Sequence, residues 1–340
     1  MLPDTRLDPI RAALRAGGHP AASSAFVPLA AKGLAHDHLR CVGTGWLLRI
    51  PRQSQLNLPP AEALAYEAAC FTRASASGCT PALALAIPAA AQLPWGALLV
   101  RDIEGRAARL PQDLHAIART LAALHALPLP APAERPPLLA PADALAALLH
   151  ELEAQARQGE VAGLPAAAAH AIRDGLRQLR ERLAQPHRPT PRLIAFDTHP
   201  GNFVVDAQGK AWLVDLEKCR YAYPGLDLAH ATLHTSTTWD VESRASLSVD
   251  EVVGFYAAWA QAAGPELAAD ARPWHAPLRH AMWLWSLTWC AMWHARAPAP
   301  PDGDDALMRH VRERVGHYLS KDGVERVRQE LRLLDALWAA

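Results

Sequence analysis

The chain has 340 residues with 34 basic and 34 acidic side chains, a balance without the basic excess of a nucleic-acid binder or any pull toward an anionic membrane surface. Hydrophobic residues make up 51% and charged residues 20%, which excludes a disordered or low-complexity chain. The five cysteines (Cys41, Cys70, Cys79, Cys219, Cys290) form no C-x-x-C pair and fit neither a disulfide framework nor a zinc site.

The opening residues lack the apolar stretch of a signal peptide, so the cytoplasm is the expected address. Short apolar or alternating runs at Phe26 to Ala31, Leu39 to Val42 and Trp46 to Ile50 predict three strands, with Gly33, Gly43 and Gly45 at the turns. Pro59-Pro60 suits a helix entrance, and Leu64, Ala68 and Phe71 follow at helical spacing. Trp95 to Ile103 reads as a further buried strand, giving the order strand, strand, strand, helix, strand. Leu114, Ile117, Leu121 and Leu124 mark one face of a helix that stops before Pro128. The proline-rich stretch Leu127 to Pro141 reads as an extended surface connector. Helices are expected from Ala142 to Gln158 and from Pro165 to Leu183. Short strands follow at Arg192 to Phe196, Phe203 to Asp206 and Trp212 to Asp215, and everything beyond Gly225 reads as helix. The expected class is α+β, with a small sheet-bearing lobe over residues 1–103 and a larger helical lobe over residues 104–340. The longest apolar run, Ala281 to Trp293, is too short to cross a bilayer and predicts a buried helix.

The chemistry concentrates in the embedded hairpin, residues 192–217. Asp197, Asn202 five positions later, and Asp215 at the end of the next apolar strand are the set that phosphoryl transfer needs. One carboxylate orients the attacking hydroxyl and takes its proton. An amide oxygen and a second carboxylate suit magnesium, which offsets the charge on the phosphates. No G-x-x-x-x-G-K-[ST] is present, so a P-loop site is excluded.

His199-Pro200-Gly201-Asn202, Val214-Asp215-Leu216-Glu217 and Tyr223-Pro224-Gly225-Leu226-Asp227-Leu228-Ala229 resemble the aminoglycoside and choline phosphotransferase family. That resemblance implies a two-lobed protein-kinase-like fold, with an antiparallel-sheet N-lobe and a mainly helical C-lobe. It implies ATP and Mg2+ as cofactors and a small-molecule hydroxyl as acceptor, while the charge balance and the short apolar run lead to the expectation of no nucleic-acid and no membrane partner. It makes Asp197 the catalytic base, Asn202 and Asp215 the metal ligands, and Asp227 a structural carboxylate that ties down the loop. It also implies that Arg49 reaches the nucleotide phosphates with Glu67 as its ion-pair partner. Val100, Arg101 and Ile103 would meet adenine through their backbone. The sequence departs from the family where a histidine and a glycine usually precede the catalytic aspartate. Ala195 and Phe196 stand there, and they motivate a second reading as a non-catalytic nucleotide-binding protein of the same fold.

Other features have bland readings beside sharp ones. His199 is expected to brace the loop, and His125 to meet the carbonyls at its helix C-terminus. Trp274, Trp283, Trp285, Trp289 and Trp293 are either lobe core or an aromatic cage for a cationic amine. Asp302-Gly303-Asp304-Asp305 lacks the rest of a calcium-loop pattern and reads as a solvated loop.

Overall fold

A computed structural model of the chain describes residues 6–29, 35–160, 163–296 and 306–339. Gly33 and the Asp302 to Asp305 loop lie outside the described residues.

The chain opens with α1 (Leu7–Ala16), whose Ile10 and Leu14 fall one turn apart and are fully buried. Strands β1 (Phe26–Pro28), β2 (His36–Cys41) and β3 (Trp46–Pro51) follow, then α2 (Pro60–Ala74), β4 (Leu83–Ile87) and β5 (Ala97–Arg101). They form one antiparallel sheet in the order β1-β2-β3-β5-β4. Gly43 and Gly45, both at positive φ, make the tight β2–β3 turn.

Alternation along the strands decides what each side chain meets. Leu48, Ile50 and Leu99 pack under α1 with Ile10 and Leu14. Leu98 and Val100 point to the other face, where Leu64, Cys70 and Phe71 of α2 cover them. Arg49, between Leu48 and Ile50 in β3, is thereby turned to the α2 side and reaches 5.3 Å from the Phe71 ring centroid.

The sequence reading passes over β4. Its residues alternate as expected, but the outward positions are Ala84 and Ala86, a residue type depleted in strands, which hides the pattern. The helix α1 is also new, as are two strands too short to signal themselves, β6 (Arg106–Ala107) and β10 (Arg220–Ala222).

The second lobe contains α3 (Leu114–His125), α4 (Ala144–Gln158), α5 (Ala166–Leu183), β7 (Arg192–Ile194), β8 (Phe203–Val205) and β9 (Ala211–Leu213). After β10 come α6 (Pro224–Thr232), α7 (His234–Thr237), α8 (Val249–Ala263), α9 (Pro265–Ala271), α10 (His275–Arg296), α11 (Ala306–Leu319) and α12 (Lys321–Ala339). The helix α10 is apolar on most of its circumference and runs through the lobe, packing against α4, α5, α6, α11 and α12. Two small antiparallel sheets, β7–β10 and β6–β8–β9, carry the loop between Ile194 and Phe203. Among the described residues no helix is long and apolar enough to cross a membrane.

The proline-rich connector is less free than its composition suggests. Leu138 is buried, Arg73 of α2 donates to the Glu134 and Pro136 carbonyls at 2.6 Å each, and Tyr221 N–H donates to the Leu139 carbonyl at 2.8 Å. Donors from outside the segment, the Arg73 side chain and the Tyr221 backbone, satisfy carbonyls that a proline-rich segment cannot pair within itself.

Candidate active site

Asp227, in the first turn of α6, is fully buried and accepts three hydrogen bonds. The Ala195 and Phe196 N–H groups reach it at 2.8 and 2.7 Å, and His125 Nε2 at 3.1 Å. Trp259 Nε1 donates to His125 Nδ1 at 3.1 Å, which fixes Nε2 as the protonated nitrogen facing Asp227. His125 therefore braces the loop through Asp227, and the expected contact with helix-end carbonyls is corrected. Its ring is turned inward because the side chain is fully buried and needs internal partners. Thr198 adds a second tie, with Oγ1 donating to the Asp227 carbonyl at 2.7 Å and N–H to His230 Nδ1 at 3.0 Å.

Phe196 lies at φ 65°, the left-handed region that costs an ordinary residue about 1–2 kcal/mol. The Arg220 guanidinium sits 3.7 Å from its ring centroid and Trp285 packs edge-on at 5.4 Å. Arg220 is held in turn by Glu151 at 3.1 Å, which also accepts from Trp285 Nε1 at 3.0 Å. The departure at 195–196 thus leaves a loop pinned by Asp227 below and by this cluster around the ring.

This anchoring presents Asp197 half-buried. Lys218 Nζ donates to its Oδ2 at 2.6 Å, while Oδ1 lies 3.7 Å from His230 Nδ1. Burial pushes the carboxyl pKa up, but Lys218, His199 and His230 outweigh it and hold the group well below the usual carboxylate range. Burial lowers His230 to about 4, so at neutral pH it is an uncharged acceptor. Among the described residues His199 is not the expected brace, because its Nδ1 is buried without a hydrogen-bond partner.

Asn202 links the two carboxylates of the motif. Its Nδ2 donates to the Asp197 carbonyl at 2.9 Å, and its own carbonyl accepts from Val214 N–H at 3.0 Å, one residue before Asp215. Donation through Nδ2 leaves Oδ1 as the atom open to a cation. Asp215 is 28% exposed, with Oδ1 held by Arg49 Nη2 at 2.9 Å and Oδ2 unengaged among the described residues. Burial raises the Asp215 pKa and Arg49 more than reverses it, so the group is ionised. Two hard oxygen donors, one anionic, have the chemistry that fits magnesium, which keeps water and substrate oxygens in its other positions.

Arg49 does not bond Glu67. Its Nη2 takes Asp215, and its Nη1 reaches His38 Nε2 at 3.2 Å and the Val214 carbonyl at 3.4 Å. Glu67 instead bonds His36 Nε2 at 3.1 Å, and His36 Nδ1 lies 3.7 Å from Glu217. His36, on β2 beside β3, occupies Glu67, while the guanidinium crosses to Asp215 and feels Glu67 only through space. The hydrogen-bonded pairing expected between Arg49 and Glu67 is therefore corrected, while both side chains are buried. Burial and the neighbouring Asp215 raise Glu217 to about 9.

Of the three positions expected near adenine, Val100 lies inside the sheet, paired with Leu47 and Leu83. Arg101 N–H is taken by the Ala82 carbonyl at 2.9 Å, and Asp102 N–H by the Gly45 carbonyl at 2.9 Å. Ile103, just past the strand, keeps its backbone groups unpaired among the described residues.

A cavity of about 120 Å³ opens beside Asp197, lined in part by Trp239, Trp285, Trp289 and Tyr318. Trp285 and Trp289 thus face this space, while Trp274 is buried in the core and Trp283 faces a different groove. Sequence reasoning missed Lys218, His36, His230 and Trp239. Lys218 directly follows the Asp215–Glu217 pair, and that adjacency was the one signal available for it.

Residues 30–278 match the family described as "Phosphotransferase enzyme family". Solved structures share the fold across nearly the whole chain. A choline/ethanolamine kinase family protein from Mesorhizobium loti is 18% identical, with a TM-score of 0.60 over 96% of this chain and 99% of that one. A choline kinase from Cryptosporidium parvum is 13% identical, with a TM-score of 0.63 over 97% and 99%. A putative aminoglycoside phosphotransferase from Ralstonia eutropha is 13% identical, with a TM-score of 0.62 over 95% and 98%. None of the curated proteins matches the sequence. The two-lobed α+β kinase-like architecture is shared with all three structures.

Proposed function

The chain belongs to the phosphotransferase enzyme family, and from that premise we propose that it transfers the γ-phosphoryl group of ATP to a hydroxyl of a small molecule. The observation that carries the reading is Asn202, bonded to Asp197 on one side and to Val214, the residue before Asp215, on the other. A base and a metal-ligand pair are thereby held in one rigid unit, the arrangement in-line phosphoryl transfer requires.

In this reading Asp197 orients the acceptor hydroxyl through Oδ1, the oxygen Lys218 leaves open, and takes its proton as the new O–P bond forms. The β–γ bridging P–O bond breaks and ADP leaves. Asn202 Oδ1 and Asp215 would hold magnesium, which supplies charge neutralisation at the phosphates. Arg49 stands at the same edge of the cleft as a second positive charge, and Ile103 offers free backbone groups to the adenine edge. Lys218 keeps Asp197 ionised and limits its rotation.

An ADP-release assay with ATP, magnesium and a panel of alcohols tests this directly. Acceptor-dependent release that stops with a chelator and in Asp215→Ala is the expected result. Release independent of both magnesium and Asp215 would refute the assignment.

A further inference from the structure

The cavity beside Asp197 has a chemical character that goes beyond the reaction type. We infer that the acceptor is a compact, uncharged alcohol bearing at least one further hydroxyl or carbonyl besides the group that reacts. This inference rests on the phosphotransferase reading and names the substrate class for the same site.

Size sets the first limit. The cavity of about 120 Å³ opens to solvent, so it encloses the reacting end of an acceptor, which a triol or tetrol fills and beyond which the rest of a larger molecule would lie outside.

Charge sets the second. Among the residues lining the cavity, Asp197 is the one carboxylate and Lys218 the one permanent cation, and they are paired to each other at 2.6 Å. His230, held neutral by burial, adds nothing to attract a cation. Lys218 Nζ also lies 5.7 Å from the Trp285 ring centroid, so the indole that could receive an ammonium already faces one. A cationic acceptor would meet that ammonium with no spare carboxylate to compensate among the described lining residues, which disfavours choline-like and aminoglycoside-like molecules alike.

The walls set the third. Trp239 and Trp289 meet edge to face at 5.5 Å and, with Trp285, offer broad apolar surfaces to the C–H face of a polyol. Two residues that line the cavity each carry a polar atom left unmatched: Ser236 Oγ and His199 Nδ1 are buried without hydrogen-bond partners among the described residues. An unpaired buried polar atom costs about 1–3 kcal/mol, and a ligand that brings a hydroxyl or carbonyl to it recovers that cost. A site with orphaned polar groups also rejects analogues that lack the matching group. The polar hydroxyl pair nearby, Thr235 Oγ1 to Ser286 Oγ at 3.3 Å, is already satisfied internally.

The test compares kcat/KM for glycerol, erythritol and threitol with that for choline, ethanolamine and kanamycin, all with magnesium ATP. At least one neutral polyol should exceed every cation by about tenfold or more. Ser236→Ala should then raise KM for that polyol about tenfold and leave KM for ATP within twofold, a split that general loosening of the lobe would not give. A cationic acceptor that wins, or equal losses toward acceptor and ATP in Ser236→Ala, would overturn the inference alone. Absence of acceptor-dependent ADP release with every compound would overturn the phosphotransferase reading and this inference with it.

Discussion

Arg49 Nη2 donates to Asp215 Oδ1 across 2.9 Å, joining the middle strand of the N-terminal sheet to the acidic end of the hairpin in the other lobe. The guanidinium also reaches His38 and the Val214 carbonyl, contacts that use its planar fork and that an ammonium could not make together.

Arg49→Lys should therefore behave as a damaged enzyme even though the charge is kept. We expect KM for ATP to rise about tenfold, equivalent to about 1.4 kcal/mol, with Arg49→Met worse. Steady-state kinetics in ATP checks this, and an unchanged KM in Arg49→Lys would mean that the fork geometry is immaterial.

Lys218 is the strongest charge acting to hold Asp197 ionised against the effect of burial. Lys218→Met should raise the Asp197 pKa, so that the base form is lost as pH falls and the acidic limb of the kcat/KM profile moves to higher pH. A profile that keeps its position while only its height drops would assign Lys218 a purely steric part.

Phe196 sets backbone strain against packing. Removing a buried aromatic side chain costs about 3–5 kcal/mol, more than the strain of about 1–2 kcal/mol that glycine would relieve, so Phe196→Gly should lower stability. Glycine ordinarily costs about 0.5–1 kcal/mol relative to alanine, yet at φ 65° that order should vanish or reverse. Urea unfolding of Phe196→Gly and Phe196→Ala reads the difference. A clearly weaker glycine variant would contradict the left-handed backbone.

Burial lowers His230, His234 and His275 to about 4, below the usual 6.5. Their stabilising contribution is present above pH 6.5 and is lost as pH falls from there toward 4, because the unfolded chain then binds more protons. The urea midpoint should drop across that window. His275→Leu should reduce proton uptake on unfolding by about one, and an unchanged slope would contradict a neutral, buried His275.

The loop chemistry was legible because Asp197, Asn202 and Asp215 sit at spacings set by one turn and one hairpin, which are local properties. Asp227 was legible for the same reason, as part of a continuous motif at a helix start. Partners chosen across the fold were not. Arg49 and Glu67 looked like a pair because one strand precedes one helix, but His36 on the adjoining strand intervenes. Lys218 and His230 acquire their meaning only where the β7–β10 ribbon and α6 converge on Asp197. Trp239 enters the cavity from the irregular segment after α7, where no periodicity announces a buried face. Strand β4 was hidden by its alanines, although its alternation was present.

The central claim is that Asp197 is the base of a phosphotransferase, and its most direct test is kcat of Asp197→Asn with magnesium ATP and the best acceptor. Near-isosteric replacement keeps the shape and removes the proton acceptor, so turnover should fall by about two orders of magnitude or more while circular dichroism stays native. Wild-type-like turnover in a folded Asp197→Asn protein would contradict the account.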